Sequence, residues 1–499
     1  MTTDPAAPAL KQRTVRAVRW SFAGQTGRQV LALAVALLLA RWIAPELFGI
    51  AGMVLVVCEF TLLFCEGGFG AALVQRRSLE DRHLDTVFWT TLAAGAMLAT
   101  ALWLAAPALA AFYREPAVEP LARALAPTFV LASLTVVQQA VLTRELGFDR
   151  LARVEVTATL VSGAGALAAA AAGLGLGALV LQQLLWHGAT AAGTWTVGSW
   201  RPGVRFSAAA ARELLGFAAP LVGFQAINYW SRNADKLLIG RFVGATALGF
   251  YGHAYRIMVL PMNQVTRTLQ RVMFPALATI QDEPERIGAI WLRANAVIAL
   301  LTVPAICGTC VLAEPLVVVA LGDPWRPVVP LLQVLCIAAI KQPMGATTGW
   351  IYQSRGRTDL MFRWGLFNAV ITIAGFVAGL PFGALGVATA YAVTGYVIWY
   401  PAITIPGRLV GIGFGAYVQN LAGVFGCALA MTLALIAMRA LLPADLPPLL
   451  ELAVCVPAGV LIYGALAWAF RLRALEDARA TLRRRTALAN GDERSAGPE

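Results

Sequence analysis

Apolar stretches of about twenty residues recur along this chain, and each ends in a short cluster of arginine, proline or glycine. About twenty apolar residues at 1.5 Å each cross the roughly 30 Å hydrocarbon core of a bilayer, so every stretch predicts a membrane-spanning helix. The breaks place spans near 20–42, 47–70, 84–107, 118–141, 152–172 and 176–198 in the first part of the chain. In the second part they fall near 213–239, 246–272, 289–313, 328–350, 362–381, 384–404, 417–440 and 449–470. These fourteen spans put both termini on one side of the membrane and leave little chain for a soluble catalytic domain.

Composition agrees with the pattern. The 499 residues are 59% apolar and 13% charged, whereas a soluble domain carries about 25% charge, so this chain has too little polar surface to face water. The fold class expected is therefore all-α and polytopic in the membrane. Its three lysines, Lys11, Lys236 and Lys341, are each followed by a residue other than Ser or Thr, which removes the phosphate-binding loop that ends in Gly-Lys-Ser/Thr. His83, His187 and His253 lie far apart, without the i, i+4 pairing of a helical zinc site. Cys307 and Cys310 form a C-x-x-C inside an apolar run, where small buried core residues are the expectation. No metal, cofactor or enzymatic chemistry is expected.

The net charge of +12 sorts by position. On the side of the N-terminus lie Lys11, Arg13, Arg16 and Arg19, the arginines of every second loop, and seven more beyond residue 470, twenty-six in all. The opposite side has five: Arg41, Arg114, Arg241, Arg326 and Arg439. Basic loops stay in the cytoplasm, so both termini are expected there, and the charge needs no nucleic-acid partner to explain it.

A repeat organises the spans. Residues 39–50, L-A-R-W-I-A-P-E-L-F-G-I, answer 239–250, I-G-R-F-V-G-A-T-A-L-G-F, so that Arg41 matches Arg241 and Gly49 matches Gly249; Gln25 and Gln225 share the register. G-L-G-L-G-A-L at 173–179 answers G-L-P-F-G-A-L at 379–385. The first stretch resembles a secretory signal, but its place in the repeat predicts an uncleaved helix. The expected organisation is a cytoplasmic tail (1–19), a six-helix lobe (20–200), a cytoplasmic linker (201–212), a second six-helix lobe (213–408), helices 13 and 14 (409–470) and a basic cytoplasmic tail (471–499). Six is even, so the two lobes are expected to be related by a pseudo-two-fold axis along the membrane normal, with a cleft between them. Helices 13 and 14, outside the duplication, have an added role, for example a lateral surface for lipid or a partner.

Eight basic residues fall within spans: Arg28, Arg123, Arg232, Lys236, Arg256, Arg267, Arg271 and Lys341. A charge at a lipid-facing helix centre costs at least about 2.5–3.5 kcal/mol, so those at depth should face a hydrated cavity that accepts anions. In N-Y-W-S-R-N-A-D-K, the spacings of Arg232 to Asp235 and Lys236 allow one helical face, which Asn228 extends by a turn. That face serves either as a self-neutralising joint between helices or as a cationic site whose acid positions side chains or carries a coupling proton. Arg28 and Arg256 are cavity candidates. Lys341 precedes Gln342 and Pro343, where a kink would open backbone carbonyls. Arg267 and Arg271 fit snorkelling as well as substrate contact, and Arg123 fits the interface. Glu59 and Glu66, seven apart on one span, pair with Arg28 or titrate as coupling sites; Trp230 is a weaker candidate for stacking on a sugar.

The 6+6+2 plan, R-N-A-D-K-L-L-I-G-R-F-V-G-A-T-A-L-G-F-Y at 232–251, A-R-W-I-A-P-E-L-F-G and E-G-G-F-G-A-A-L-V-Q-R resemble the polysaccharide transporters of the multidrug/oligosaccharidyl-lipid/polysaccharide flippase superfamily, and most closely the WzxC-like branch. The resemblance implies a bacterial inner-membrane flippase that moves undecaprenyl-diphosphate-linked oligosaccharide outward by alternating access, driven by a proton or sodium gradient. It implies membrane lipid and a polysaccharide polymerase as partners. Arg28, Arg232, Lys236, Arg256 and Lys341, with Asn228, suit a diphosphate; Asp235, Glu59 and Glu66 are the ion-coupling candidates. Bases outnumber acids at depth, which disfavours a drug/cation exporter of the same superfamily. The short outer loops disfavour a membrane polymerase or ligase.

Overall fold

The structure, a computed structural model, describes residues 24–476 apart from 26, 67, 77, 78, 279, 281, 346 and 444; the side chains of 217 and 263–278 are also outside the described set. The expected tail 1–19, most of the tail 471–499, and the side chains of Arg267 and Arg271 therefore lie outside the described residues. The chain is all-helical and polytopic. Helices occupy each of the expected spans, and no strand occurs among the described residues. Among those residues, eight helices are long and apolar enough to cross a membrane, or nine if a bent pair is taken as one span. One of the eight, Thr358–Arg408, runs through two of the expected spans.

The contacts divide the chain into two units, residues 1–249 and 250–499. The first contains α1 (27–42), α2 (Pro45–Glu66), α3 (Phe69–Gln75), α4 (Asp81–Tyr113), α5 (Val118–Leu125), α6 (Pro127–Ser133), α7 (Val136–Arg144), α8 (Phe148–Ala171), α9 (Leu176–Val197), α10 (Ala208–Phe242) and the first turn of α11 (Ala245–Ala278). The seventh expected span, α10, thus packs with the first six, against α2, α3 and α4.

Two glycine placements set the geometry of this unit. Gly68 joins α2 to α3 at φ +67°, a left-handed conformation that glycine adopts without strain, and a Cβ there would come within 3.1 Å of the Ala218 carbonyl oxygen on α10. The repeat-related pair Gly49 and Gly249 makes a reciprocal contact: a Cβ on Gly49 would strike the carbonyl of Ala245, and one on Gly249 would strike the carbonyl of Pro45. Residues 45 and 245 carry the same offset as the two glycines, so the matched positions in the sequence are the ones at which α2 and α11 approach backbone to backbone. Below them, Phe69, Leu73, Leu84, Phe88, Val137 and Leu214 form a core that joins α3, α4, α7 and the start of α10.

The segment between α9 and α10 is pinned to that core. Buried Asp85 accepts a hydrogen bond from Gly203 N–H (2.9 Å), Trp89 Nε1 donates to Gly203 O (2.8 Å), and Gln138 Nε2 donates to Trp200 O (3.0 Å). Arg76 pairs with Glu213 at 2.9 Å, and Ser207 caps α10 by accepting from Ala210 N–H.

The second unit continues α11 and contains α12 (Pro284–Val311), α13 (Ala313–Ala320), α14 (Val328–Ala339), α15 (Gln342–Gly345), α16 (Thr348–Ser354), α17 (Thr358–Gly379), α18 (Gly383–Val397), α19 (Trp399–Arg408), α20 (Phe414–Leu441) and α21 (Pro448–Ala469). Its core holds a closed polar network. Trp291 Nε1 donates to Thr347 Oγ1 (2.8 Å), the Tyr417 hydroxyl donates to Asn295 Oδ1 (3.0 Å), the single Thr347 hydroxyl proton is within reach of both Met344 O (2.7 Å) and Asn295 Oδ1 (3.0 Å), and Asn295 Nδ2 donates to Trp291 O (2.7 Å). This network ties α12 and α16 to α20, the thirteenth expected span, which Asn420 reinforces by donating to Leu292 O (2.9 Å). Arg439 on α20 pairs with Glu451 on α21.

Candidate functional site

The side chains singled out in the sequence are spread over several helices: Glu59 and Glu66 lie on α2, which is apolar enough to cross a membrane, while Asn228, Arg232, Asp235 and Lys236 lie on α10 and Arg256 on α11. Among the described residues α10, 35 residues long, is not one of the helices apolar enough to pass as a span. Charged groups on such a helix need protein or water beside them rather than hydrocarbon.

On α10, the i, i+4 pair Asn228 and Arg232 is exposed on one face, as the spacing predicts. Asp235 is instead buried, 2% exposed, and its carboxylate accepts the N–H of Lys236 (2.8 Å). Among the described residues Arg232 makes no ion pair, so of the two alternatives for this face the Arg232–Asp235 joint is not formed. The Lys236 ammonium donates to Asn233 Oδ1 (2.8 Å), and Asn233 Nδ2 donates to the Tyr229 carbonyl (3.0 Å), an arrangement that holds the lysine along its own helix.

Tyr229 connects this helix to α2. Its hydroxyl donates to Val56 O (2.7 Å) and lies 3.4 Å from Glu59 Oε2, while Phe60 packs against Tyr229 and Trp230 with ring centroids 5.7 and 4.9 Å apart. Glu59 and Glu66 are both exposed, seven residues apart on α2. Neither pairs with Arg28. Arg28 lies 3.4 Å from Glu155 Oε2 on α8, a residue that the sequence reading passed over because it stands among the loop charges of R-V-E-V-T, close to the start of its span. Arg123 pairs with Glu119 (2.8 Å) and stacks over Trp103, as an interfacial side chain does.

The second unit holds Arg256, exposed on α11, and Lys341. The kink foreseen at Gln342-Pro343 is present as a 41° bend between α14 and the helices that follow it. The carbonyl of Ile337 at this break is not open: Tyr396 hydroxyl donates to it (2.8 Å). The Lys341 ammonium sits 5.4 Å from the centroid of the Tyr396 ring, over Gly395, where a Cβ would collide with it. Gln342 Nε2 donates to Tyr391 hydroxyl (2.9 Å). Among the described residues no carboxylate pairs with Lys341. The aromatic partners Tyr391 and Tyr396 carry no signal in sequence beyond being polar aromatics in a span.

Among the described residues no group of three or more His, Cys, Asp or Glu is placed to hold a metal ion, and Cys307 and Cys310 are free and half-buried. Within the first unit Arg232 is an exposed cation with no ion pair among the described residues, which suits an anionic ligand.

A family model described as polysaccharide biosynthesis protein matches residues 38–330. The chain is 28% identical over 412 residues to the teichuronic acid biosynthesis protein TuaB of Bacillus subtilis (strain 168), covering 81% of this chain and 84% of TuaB. It is 26% identical over 389 residues to the lipopolysaccharide biosynthesis protein WzxC of Escherichia coli (strain K12), covering 77% and 78%. Identity to the succinoglycan biosynthesis transport protein ExoT of Rhizobium meliloti (strain 1021) is 26% over 380 residues, covering 76% and 77%. In fold, the chain resembles the lipid II flippase MurJ in an inward closed conformation, with TM-score 0.75, 14% identity and coverage of 91% and 98%. It also resembles an inward-facing multidrug resistance MATE family transporter of the MOP superfamily, with TM-score 0.62, 16% identity and coverage of 77% and 95%.

Proposed function

Because this chain belongs to the polysaccharide biosynthesis protein family, we propose that it is a flippase for undecaprenyl-diphosphate-linked oligosaccharide repeat units in the bacterial inner membrane. The observation that carries the proposal is the exposed polar face of α10, where Asn228 and Arg232 stand one turn apart and Arg232 has no ion-pair partner among the described residues. A diphosphate supplies the anion such a face lacks, through charge-assisted hydrogen bonds to the guanidinium. The polyprenyl chain stays in hydrocarbon while the sugar head moves through a hydrated path, so no bond is made or broken.

In this reading Arg28, Lys236, Arg256 and Lys341 complete the cationic lining, and Asp235, Glu59 or Glu66 carries a coupling proton or sodium ion. The duplicated lobes, 20–200 and 213–408, are related by a pseudo-two-fold axis along the membrane normal, and helices 13 and 14 (409–470) lie outside the duplication and offer a lateral surface for lipid or a partner. Both termini are cytoplasmic, and a polysaccharide polymerase receives the product.

The test is flipping by the purified protein. Proteoliposomes containing it should move a fluorescent undecaprenyl-diphosphate-linked saccharide between leaflets while leaving undecaprenyl-linked neutral saccharide in place. Equal movement of both lipids, or of neither, would sink the assignment.

A further inference from the structure

Arg28 is the cation for which the tertiary structure supplies a partner that the sequence did not announce. α1 and the residues just before it run parallel to α8 and in register with it: a Cβ on Gly24 would collide with the Ala152 methyl, and a Cβ on Gly163 would collide with Val35. These two close approaches bracket Arg28 and Glu155, so the small residues hold the two charges opposite one another. The pairing itself is loose. The N–O distance is 3.4 Å, and the buried Arg28 Nε finds no hydrogen-bond partner among the described residues. Tight pairs elsewhere, such as Arg76–Glu213 at 2.9 Å and Arg123–Glu119 at 2.8 Å, do reach hydrogen-bond distance. Both partners also remain accessible, with side chains 34% and 42% exposed.

We propose that Glu155 is the displaceable counter-ion of Arg28: its carboxylate neutralises the guanidinium in the empty transporter and yields it to the phosphates of the arriving lipid. This rests on the flippase reading above. A partly buried guanidinium with no carboxylate near it would lack charge compensation in the absence of substrate, and one locked in a bidentate pair would refuse the substrate. A half-exposed carboxylate in ion-pair range but out of hydrogen-bond geometry does neither. The same competition promotes release, because Glu155 reclaims Arg28 as the phosphates leave. Glu155 is thus a positioning residue that acts through Arg28.

The full-length protein in nanodiscs is titrated with undecaprenyl diphosphate, with undecaprenol as control. Glu155→Gln should bind undecaprenyl diphosphate about fivefold tighter than wild type, the size expected when a part-exposed competing charge is removed. It should also flip more slowly at saturation, with KM and turnover falling together. Arg28→Gln/Glu155→Gln should bind no tighter than Arg28→Gln, and Glu155→Asp should keep most of the competition. Affinity of Glu155→Gln equal to or weaker than wild type overturns the proposal, as does failure of that variant to accumulate folded, which would make the role structural. Wild-type protein that does not distinguish undecaprenyl diphosphate from undecaprenol would instead overturn the flippase reading.

Discussion

Two polar clusters in this molecule use the same kinds of side chain to opposite ends. In the second unit, Trp291, Asn295, Thr347 and Tyr417 form a sealed network in which each donor has an acceptor and every member is buried. In the first, Asn228, Arg232 and Glu59 stand exposed, and Arg232 has no counter-charge among the described residues. A satisfied polar cluster adds specificity to helix packing and has nothing left to offer a ligand. An exposed, unsatisfied one contributes little to packing and is retained at a cost, which is what a binding surface requires.

The largest effect that tests this contrast is on transport. Arg232→Ala or Lys236→Ala should lower polysaccharide export by tenfold or more, with unchanged amounts of protein in the membrane and an unchanged melting temperature in detergent; surface polysaccharide at the wild-type level in cells carrying both changes would remove the contrast. Next in size is Asn295→Leu, which leaves the buried Tyr417 hydroxyl without its acceptor, while Thr347 keeps Met344 O. It should cost about 2–3 kcal/mol of stability, read as a lowered melting temperature, while flipping per folded molecule is preserved. Smaller still, Tyr417→Phe removes one donor from the same acceptor and should cost about 0.6–1 kcal/mol, again with normal flipping. The smallest concerns Lys341: Tyr396→Phe keeps the ring under the ammonium but drops the bond to Ile337 O, so stability should fall by about 0.5–1 kcal/mol and transport should stay near normal, whereas Tyr396→Leu should impair transport if the ring positions the lysine.

Much of the first unit's frame was legible before any coordinates. The match of Gly49 to Gly249 marked a repeat, and those glycines turn out to be points of backbone contact between α2 and α11, where a side chain has no room. The spacing of Asn228 and Arg232 predicted a shared face, and both are exposed. The same spacing argument misjudged Asp235. Its position on the helix allowed a bond to Arg232, but packing buries it and turns its carboxylate onto the backbone of Lys236. Periodicity says which residues are able to meet along one helix, and neighbouring helices decide which of them do.

The partner of Arg28 shows the same limit across helices. Glu59 and Glu66 were the acids matched to Arg28 in the sequence, yet the guanidinium faces Glu155, more than a hundred residues away along the chain. That choice follows from the glycine contacts between α1 and α8, which no local pattern encodes. Lys341 is similar: its lack of a nearby acid was readable, but the Tyr396 ring and the space over Gly395 were not.

Hydropathy and charge along the chain were enough to establish an all-helical membrane protein, the positions of its helices and the excess of cations within them, because burial in lipid and the spacing of a helix act on each segment separately. Which cation is neutralised, which is left free and which polar groups are sealed away was settled only by the packing of distant helices, because a charge's partner is fixed by distance in space, and that distance is a property of the assembled bundle.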